Sequence, residues 1–412
     1  MATRTITTGI DIGTNGVKVV VAELVLDRTT GRKTPRLIAT GWAESRGLRH
    51  GYVMGIGDAA RAVNAAVRQA EKMAGVPIKR AFVSANGIGL AGMQSVGAAS
   101  VSRGDSEIVN LDISKALDAS EKALPPSFTL NRKVVNVVPL SFKIDGKVVL
   151  GRPQGMKGMK LEARALFITA MEQHLVDLFQ VFDEAGIEVE DVHPGPVAAS
   201  WVTLTKAQKI AGCVLAVIGA ETVGLTVFEN SNPISLEVLP IGSTDITHDI
   251  ALGLKIPIEE AEKVKILAGL SGASSAMHSG NHTLTTQSGI SYSKKKLDEI
   301  IEARLQDIFE QIEDHLKKIG RSGLLPAGII MTGGGAQSAD IEDLARSILK
   351  IPAKVIRPAF DADRRGQPDS AWSTAHGLCI LGLTQENEPS MPTKTLGIVR
   401  KGLWEWVKQF LP

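Results

Sequence analysis

Aromatic side chains are scarce. The chain has 412 residues, of which ten are Phe, five Trp and two Tyr, 4% of the whole. Cysteine is scarcer still. Cys213 and Cys379 stand far apart in apolar surroundings, with no CxxC pairing. They make neither a disulfide framework nor a thiolate metal site, and they read as buried reduced thiols. The eight His are scattered without HxxxH or His/Cys spacing, which argues against structural zinc. Neither sign of charge dominates: Lys+Arg number 46 and Asp+Glu 44, a formal +2. A dedicated nucleic-acid binder would carry a basic excess, so no nucleic-acid partner is expected. Long apolar runs are missing too. The opening Met-Ala-Thr-Arg-Thr-Ile-Thr-Thr lacks the run of roughly seven apolar residues of a signal peptide. No window approaches the roughly eighteen of a membrane span. The expectation is a cytoplasmic protein.

What is present is globular material, 44% apolar and 22% charged, long enough for several cores. An apolar run at 5–12 ends on Asp11 and Ile12. Gly13-Thr14-Asn15-Gly16 follows, then Val17, Val19 and Val21 at period two. This predicts strand, tight turn, strand. Ala59, Ala62, Val63, Ala66, Val67, Ala70 and Met73 recur at helical spacing over 58–74, with Asp58 as N-cap and Gly75 as stop. Residues 81–85 read as a buried strand. From 86 to 162 the chain is rich in Gly, Ser and Val. Short strands at 134–140 and 147–150 surround a helix at 112–123 that Pro125-Pro126 ends, which suggests an inserted α+β unit. A long helix is expected over 163–185.

The second half repeats the opening design: a run at 213–218, a turn at 219–221 and a strand at 223–228. Two related halves, each opening on a β-hairpin, are therefore expected. Two helices around a Ser/Gly/Thr-rich loop (271–293) fill 259–320. The second, 297–319, puts Leu297, Ile300, Ile301, Leu305, Ile308, Ile312, Leu316 and Ile319 on one face. A strand at 328–332 leads through Gly333-Gly334-Gly335 into a helix carrying Ile341, Leu344, Ala345 and Ile348. Residues 384–395 read as a polar linker, and the last sixteen residues as a separate helix.

Three features suit phosphate chemistry. The Asp11–Gly16 turn is glycine-rich and acidic, with Lys18 two residues on. A dinucleotide fingerprint opens a helix after its strand, whereas here a strand follows. Hairpin-turn amides can still form an anion nest, with Asp11 holding Mg²⁺ through water and Lys18 neutralising phosphate charge. Gly333, Gly334 and Gly335 let backbone approach a flat ring or a phosphate closely. Glu262 and Lys265 lie one helical turn apart and share a face. They suit a ribose or adenine edge, or else form a surface pair beside Glu259, Glu260 and Lys263.

Taken together, Thr-Gly-Ile-Asp-Ile-Gly-Thr at 8–14, Ser-Arg-Gly-Leu with Gly-Tyr-Val at 45–48 and 51–53, Thr-Asp-Ile-Thr-His-Asp-Ile-Ala at 244–251, and Gly-Ile-Ile-Met-Thr-Gly-Gly-Gly-Ala at 328–336 resemble the actin/Hsp70/hexokinase ATPase superfamily. Within it, the chain resembles the bacterial cell-division family FtsA over almost its whole length. The resemblance implies an α/β, actin-like ATPase fold of two related lobes with an inserted 1C-type subdomain. Lobe 1 would take 1–85 and 163–200, the insert 86–162, lobe 2 201–258 and 321–383, and its small subdomain 259–320. It further implies ATP and Mg²⁺ as ligands and self-association into filaments through the insert. The FtsZ C-terminal peptide would be a partner, met by the 259–320 subdomain. The second phosphate turn would be Gly219, Ala220, Glu221 and Thr222.

At that turn the chain departs from the family pattern Asp-x-Gly-Gly-Gly-Thr-x-Asp. Val217 and Gly224 stand where the two acids belong. Valine has no lone pair to order an attacking water or a metal. Hydrolysis is therefore expected to be weak or absent, with Glu221 as the remaining acid of the turn. No catalytic residue is assigned.

Three of the seventeen aromatics, Trp404, Trp406 and Phe410, crowd the end of the chain. On a helix, Leu396, Val399, Leu403, Trp404, Trp406, Val407, Phe410 and Leu411 fall within an arc of roughly 160°. Lys401 and Lys408 lie opposite, and Arg400 can snorkel from the edge of the arc. That is the composition of an interfacial helix for an anionic membrane surface. A helix docked on the protein's own core is the alternative. With the resemblance, the tail implies a protein peripheral on the inner face of the cell membrane at the division site, tethering FtsZ there. A PilM-type pilus platform or a small-molecule kinase of the same superfamily are the other readings.

Overall fold

The structure is a computed structural model. It describes residues 5–26, 33–101, 104–270, 283–286, 289–338, 340–357 and 370–387. The chain opens with β1 (Ile6–Ile12) and β2 (Gly16–Leu26), the expected hairpin, and continues into β3 (Lys33–Glu44). A miniature hairpin follows, β4 (Leu48–Arg49) and β5 (Tyr52–Val53), then α1 (Ile56–Ala74) and β6 (Arg80–Ala85). The N-cap of α1 is Gly55 rather than Asp58. Asp58 lies inside the first turn and pairs with Arg61. Gly75 ends the helix in the left-handed region, as the sequence predicts.

The insert holds β7 (Ala91–Ser100), α2 (Asn110–Lys122), α3 (Pro126–Thr129), β8 (Arg132–Ile144), β9 (Lys147–Val149) and β10 (Lys160–Met171). Its sheet runs β7-β10-β8-β9 and carries its own core, with Leu117, Leu161 and Phe167 buried. Here one expectation fails. The helix predicted over 163–185 is strand to Met171 and helix only over α4 (Glu172–Glu184). Leu166-Phe167-Ile168-Thr169-Ala170 is buried on both faces, and such a run has no strand alternation to distinguish it from a buried helix. The insert therefore reaches beyond residue 162.

The chain returns through β11 (Glu188–Pro194), α5 (Gly195–Thr203) and α6 (Lys206–Ala211). The second half follows: β12 (Cys213–Ile218), β13 (Val223–Glu229), β14 (Asn232–Leu239), α7 (Ser243–Leu254) and α8 (Ile258–Leu270). Next come β15 (Thr283–Thr285), β16 (Ser291–Ser293), α9 (Lys294–Lys318), β17 (Ile329–Thr332), α10 (Ile341–Leu349), β18 (Ala353–Val355) and α11 (Ser373–Asn387). Helix α9 buries Leu297, Leu305, Ile308, Ile312 and Leu316, the face the periodicity predicts.

The duplication is plain in the sheets. Lobe 1 has the order β11-β6-β1-β2-β3 and lobe 2 the order β14-β13-β12-β17-β18. In each, a hairpin and a third antiparallel strand flank one side, and parallel strands complete the other. Helix α11 departs from expectation: it packs on α5 and on β1 and β2 of lobe 1, and only its first residue, Ser373, bonds to lobe 2 at Thr332. Gly9 of β1 makes the crossing possible, because a Cβ there would lie 2.8 Å from Leu378 Cβ and 2.9 Å from the Cys379 amide. The helix also runs to Asn387, four residues into the expected linker. The remainder of that linker and the expected tail helix at 396–412 lie outside the described residues.

His174, near the start of α4, is buried in lobe 1 with its ring edge against Tyr52. Burial pushes its imidazole down to about 4, and the charge of Asp177 only partly offsets this. An unfolded imidazole titrates near 6.5. As pH falls from there toward 4, the unfolded chain takes up a proton that the folded chain refuses, so stability falls. The contribution is on the order of 3 kcal/mol. Urea unfolding at pH 7 and pH 4.5 should show this loss, and His174→Phe should shrink it by on the order of 2 kcal/mol.

Candidate functional site

A cleft of about 470 Å³ opens between the lobes, where the turns of the two hairpins face each other. Both turns are built alike. The Gly13 amide donates to the Gly16 carbonyl at 3.2 Å, and the Gly219 amide to the Thr222 carbonyl at 2.8 Å. In strand register Asp11 pairs with Lys18, and Val217 pairs with Gly224. The duplication therefore equates Asp11 with Val217 and Lys18 with Gly224. Among the described residues, no carbonyl accepts the amides of Thr14 and Asn15, or those of Ala220 and Glu221.

Asp11 is buried at the end of β1. Its Oδ1 accepts from Ser84 Oγ at 2.7 Å and from Asn86 Nδ2 at 2.9 Å. The Lys18 ammonium lies over the turn, 3.4 Å from the Gly16 carbonyl. Asp11, Gly13, Thr14, Asn15 and Lys18 all line the cleft. Gly16 does not; it closes the turn and pairs with Glu44 of β3.

From lobe 2, Gly219, Ala220 and Thr222 line the cleft, and Val217 and Gly224 line it with them. Gly224 has a steric reason. A Cβ there would come within 2.5 Å of Pro196 Cγ, at the start of α5, so no acid fits. No comparable contact explains Val217. The Glu221 side chain is not part of the lining. It accepts the His50 amide at 2.5 Å.

Glu262 and Lys265 also line the cleft. They form an ion pair in which Lys265 is largely buried and Glu262 half-exposed. Lys265 Nζ stands 2.7 Å from Glu262 Oε2, 3.0 Å from the Ser243 carbonyl and 2.8 Å from Thr247 Oγ1. Thr247 in turn donates to Glu262 at 2.5 Å, which locks α8 to α7. Gly333, Gly334 and Gly335 complete the lobe 2 wall. The chain passes there into a 3₁₀ turn over Gly334–Gln337 before α10 begins, so the glycine run does not enter an α-helix directly.

Sequence reading missed Ser84 and Asn86, the donors that hold Asp11, and the α5 N-terminus at Gly195 and Pro196, which also faces the cleft. A serine near the end of the 81–85 strand, with an asparagine directly after that strand, was the available signal. Two features are absent among the described residues. They contain no group of three or more His, Cys, Asp and Glu able to hold a metal ion. They contain no helix long and apolar enough to cross a membrane.

A family model described as "Cell division protein FtsA" matches residues 214–377, and one described as "SHS2 domain inserted in FTSA" matches 87–169. The latter range agrees with the insert as its sheet defines it. Among curated proteins, "Cell division protein FtsA" of Bacillus subtilis (strain 168) is 31% identical over 90% of this chain and 81% of its own. The protein of the same name from Borreliella burgdorferi is 28% identical over 97% and 96%. Among solved structures, a "PilM-PilN type IV pilus biogenesis complex" has a TM-score of 0.65 at 16% identity, covering 92% of this chain and 98% of that one. MreB5 of Spiroplasma citri bound to ADP has a TM-score of 0.51 at 14% identity, covering 93% and 99%. Those structural likenesses establish the actin-like fold and nothing more specific. With the family models and curated relatives, the chain belongs to the FtsA family of actin-like cell-division proteins.

Proposed function

We propose that the cleft binds Mg²⁺-ATP and that the protein is a polymerising scaffold which turns ATP over slowly or not at all. One observation carries the nucleotide reading: two matching hairpin turns present unpaired amides to the same cleft, opposite a glycine wall. Amides so arranged suit the anionic oxygens of a triphosphate. The MreB5 relatives, solved with ADP and with AMPPNP, support the assignment. The residues present also fit the metal. Both protein donors to Asp11 meet Oδ1, so Oδ2 is the oxygen available to a metal-bound water. Lys18 supplies positive charge beside the lobe 1 turn. Gly333, Gly334 and Gly335 would flank the nucleoside, and Glu262 with Lys265 its ribose or adenine edge.

Hydrolysis needs a group that orders water at the far end of the triphosphate. Asp11 and Val217 hold equivalent places in the two lobes, and only one of them is an acid. Glu221, engaged with His50, does not substitute.

The family supports the rest of the reading. The protein would tether FtsZ to the inner face of the cytoplasmic membrane, through the 259–320 subdomain and the amphipathic segment at 396–412. Its insert would serve subunit contacts in a filament. The likeness to PilM is one of fold, so the pilus reading gains nothing specific from it.

Four outcomes follow. Asp11→Asn should weaken Mg²⁺-ATP binding at least tenfold, about 1.4 kcal/mol, as measured by calorimetry. A wild-type turnover as fast as that of ordinary family ATPases would overturn the slow-hydrolysis reading. Removing residues 396–412 should abolish co-sedimentation with anionic vesicles, and equal sedimentation of both chains would exclude the membrane helix. Immobilised FtsZ C-terminal peptide should retain the full chain, and no retention would count against the tether.

A further inference from the structure

The segment at 45–53, one of those that carry the family resemblance, has no part in the nucleotide reading above. Its centre is the β4–β5 hairpin, with Arg49 paired to Tyr52 and only His50 and Gly51 between them. Both turn residues have positive φ, 48° and 78°. A two-residue turn with both φ values positive is the tight type I′ form, in which histidine is tolerated and glycine preferred. The tip is thus held rigidly, with two successive amides at its apex.

Those two amides go to different lobes. Gly51 donates to Thr14 Oγ1 at 3.3 Å, on the lobe 1 turn. His50 donates to Glu221 Oε2 at 2.5 Å, on the lobe 2 turn. The His50 imidazole strengthens the second contact, its Nδ1 lying 3.3 Å from the Glu221 carbonyl oxygen. By the register of the duplicated turns, Glu221 is the counterpart of Asn15. The Asn15 carbonyl accepts from Ser45 at 3.3 Å, so both equivalent positions hold the same segment. Behind the tip, a Cβ on Gly51 would lie 2.5 Å from Gly87 Cα, and the His50 carbonyl accepts from Ile88 at 3.3 Å. Gly87 follows Asn86, the residue that holds Asp11. The tip therefore touches both turns and the start of the insert at once.

We propose that Glu221 is a positioning residue. With Thr14 it seats the His50–Gly51 tip as a clasp across the two phosphate turns, closing the cleft over a bound nucleoside triphosphate. This rests on the nucleotide reading for what is enclosed, but the clasp is a property of the protein alone. A ligand between the turns leaves only when they part, and parting breaks the bond between the His50 amide and the Glu221 carboxylate. A charge-assisted bond of this kind is stronger than a neutral one. The clasp therefore governs release rather than capture. It also gives Glu221 a use that accounts for an acid in the turn whose side chain avoids the cleft.

Glu221 is partly exposed, so truncating it leaves the core intact. Stopped-flow measurements with a fluorescent ATP analogue and Mg²⁺ separate the two rates. Glu221→Ala should speed dissociation about tenfold with association unchanged within about twofold, at an unaltered thermal midpoint. Glu221→Gln keeps an acceptor for the His50 amide and should restore slow release. Hydrogen exchange of the peptide spanning 46–53, followed without nucleotide, should lose protection in the Ala variant and keep it in the Gln variant. Wild-type release in the Ala variant, or unchanged exchange there, overturns the clasp. Equal loss in both variants overturns it as well. A wild-type chain that binds no analogue sinks the nucleotide reading instead, and the exchange measurement then decides the clasp by itself.

Discussion

A carboxylate removed from water has to be met by donors, and much of this molecule is arranged around one that is. Asp11 ends the first strand and is held by Ser84 and Asn86 at the end of β6. That pair fixes the lateral placement of two strands in the lobe 1 sheet. Asn86 does more, because the chain runs directly from it into the insert. Its carboxamide also lies against Gly195, where α5 begins and any Cβ would collide with it. Strand, insert and helix are thus referred to one buried group. The same group faces the cleft, so a carboxylate of the cleft lining is also the reference point of lobe 1.

Lobe 2 repeats the backbone without repeating this polar centre. Val217 occupies the place of Asp11 and needs no donors, and its parallel neighbour in register is Thr332 on β17. Thr332 instead bonds to Ser370 and Ser373, which begin the passage to α11. The two lobes therefore use the same register position for different ends: one builds a polar floor, the other secures the crossing back to lobe 1. Duplication of the fold does not oblige duplication of the chemistry.

The sequence made the duplication legible because each hairpin is short and local. A strand, a glycine turn and a β-branched strand announce themselves within about twenty residues. The α9 face was equally legible, since a periodicity sustained over six turns is hard to misread. What escaped reading was non-local or periodicity-free. Strand β10 is buried on both faces and looks like any apolar segment until its partners β7 and β8 are known. The lobe to which α11 belongs depends on a crossing at Gly9, some 370 residues away in sequence. The cleft residues chosen by motif mostly came together, whereas Ser84 and Asn86 carry no motif and are defined only by what they hold. Glu221 lay in the right turn with its side chain on the wrong side. That direction is set by a partner 171 positions earlier.

The position of α11 has a mechanical meaning. The helix lies along the face of β1 and β2, with Cys379 donating to the Val20 carbonyl and buried among the two elements. Whatever follows Asn387 is therefore attached to lobe 1, on the same side of the cleft as the insert. A pull applied beyond that point is borne as shear between a helix and the sheet beneath it, spread over several side chains. The end of the described chain is thus anchored broadside on the lobe 1 sheet and on α5, rather than hung from a single strand.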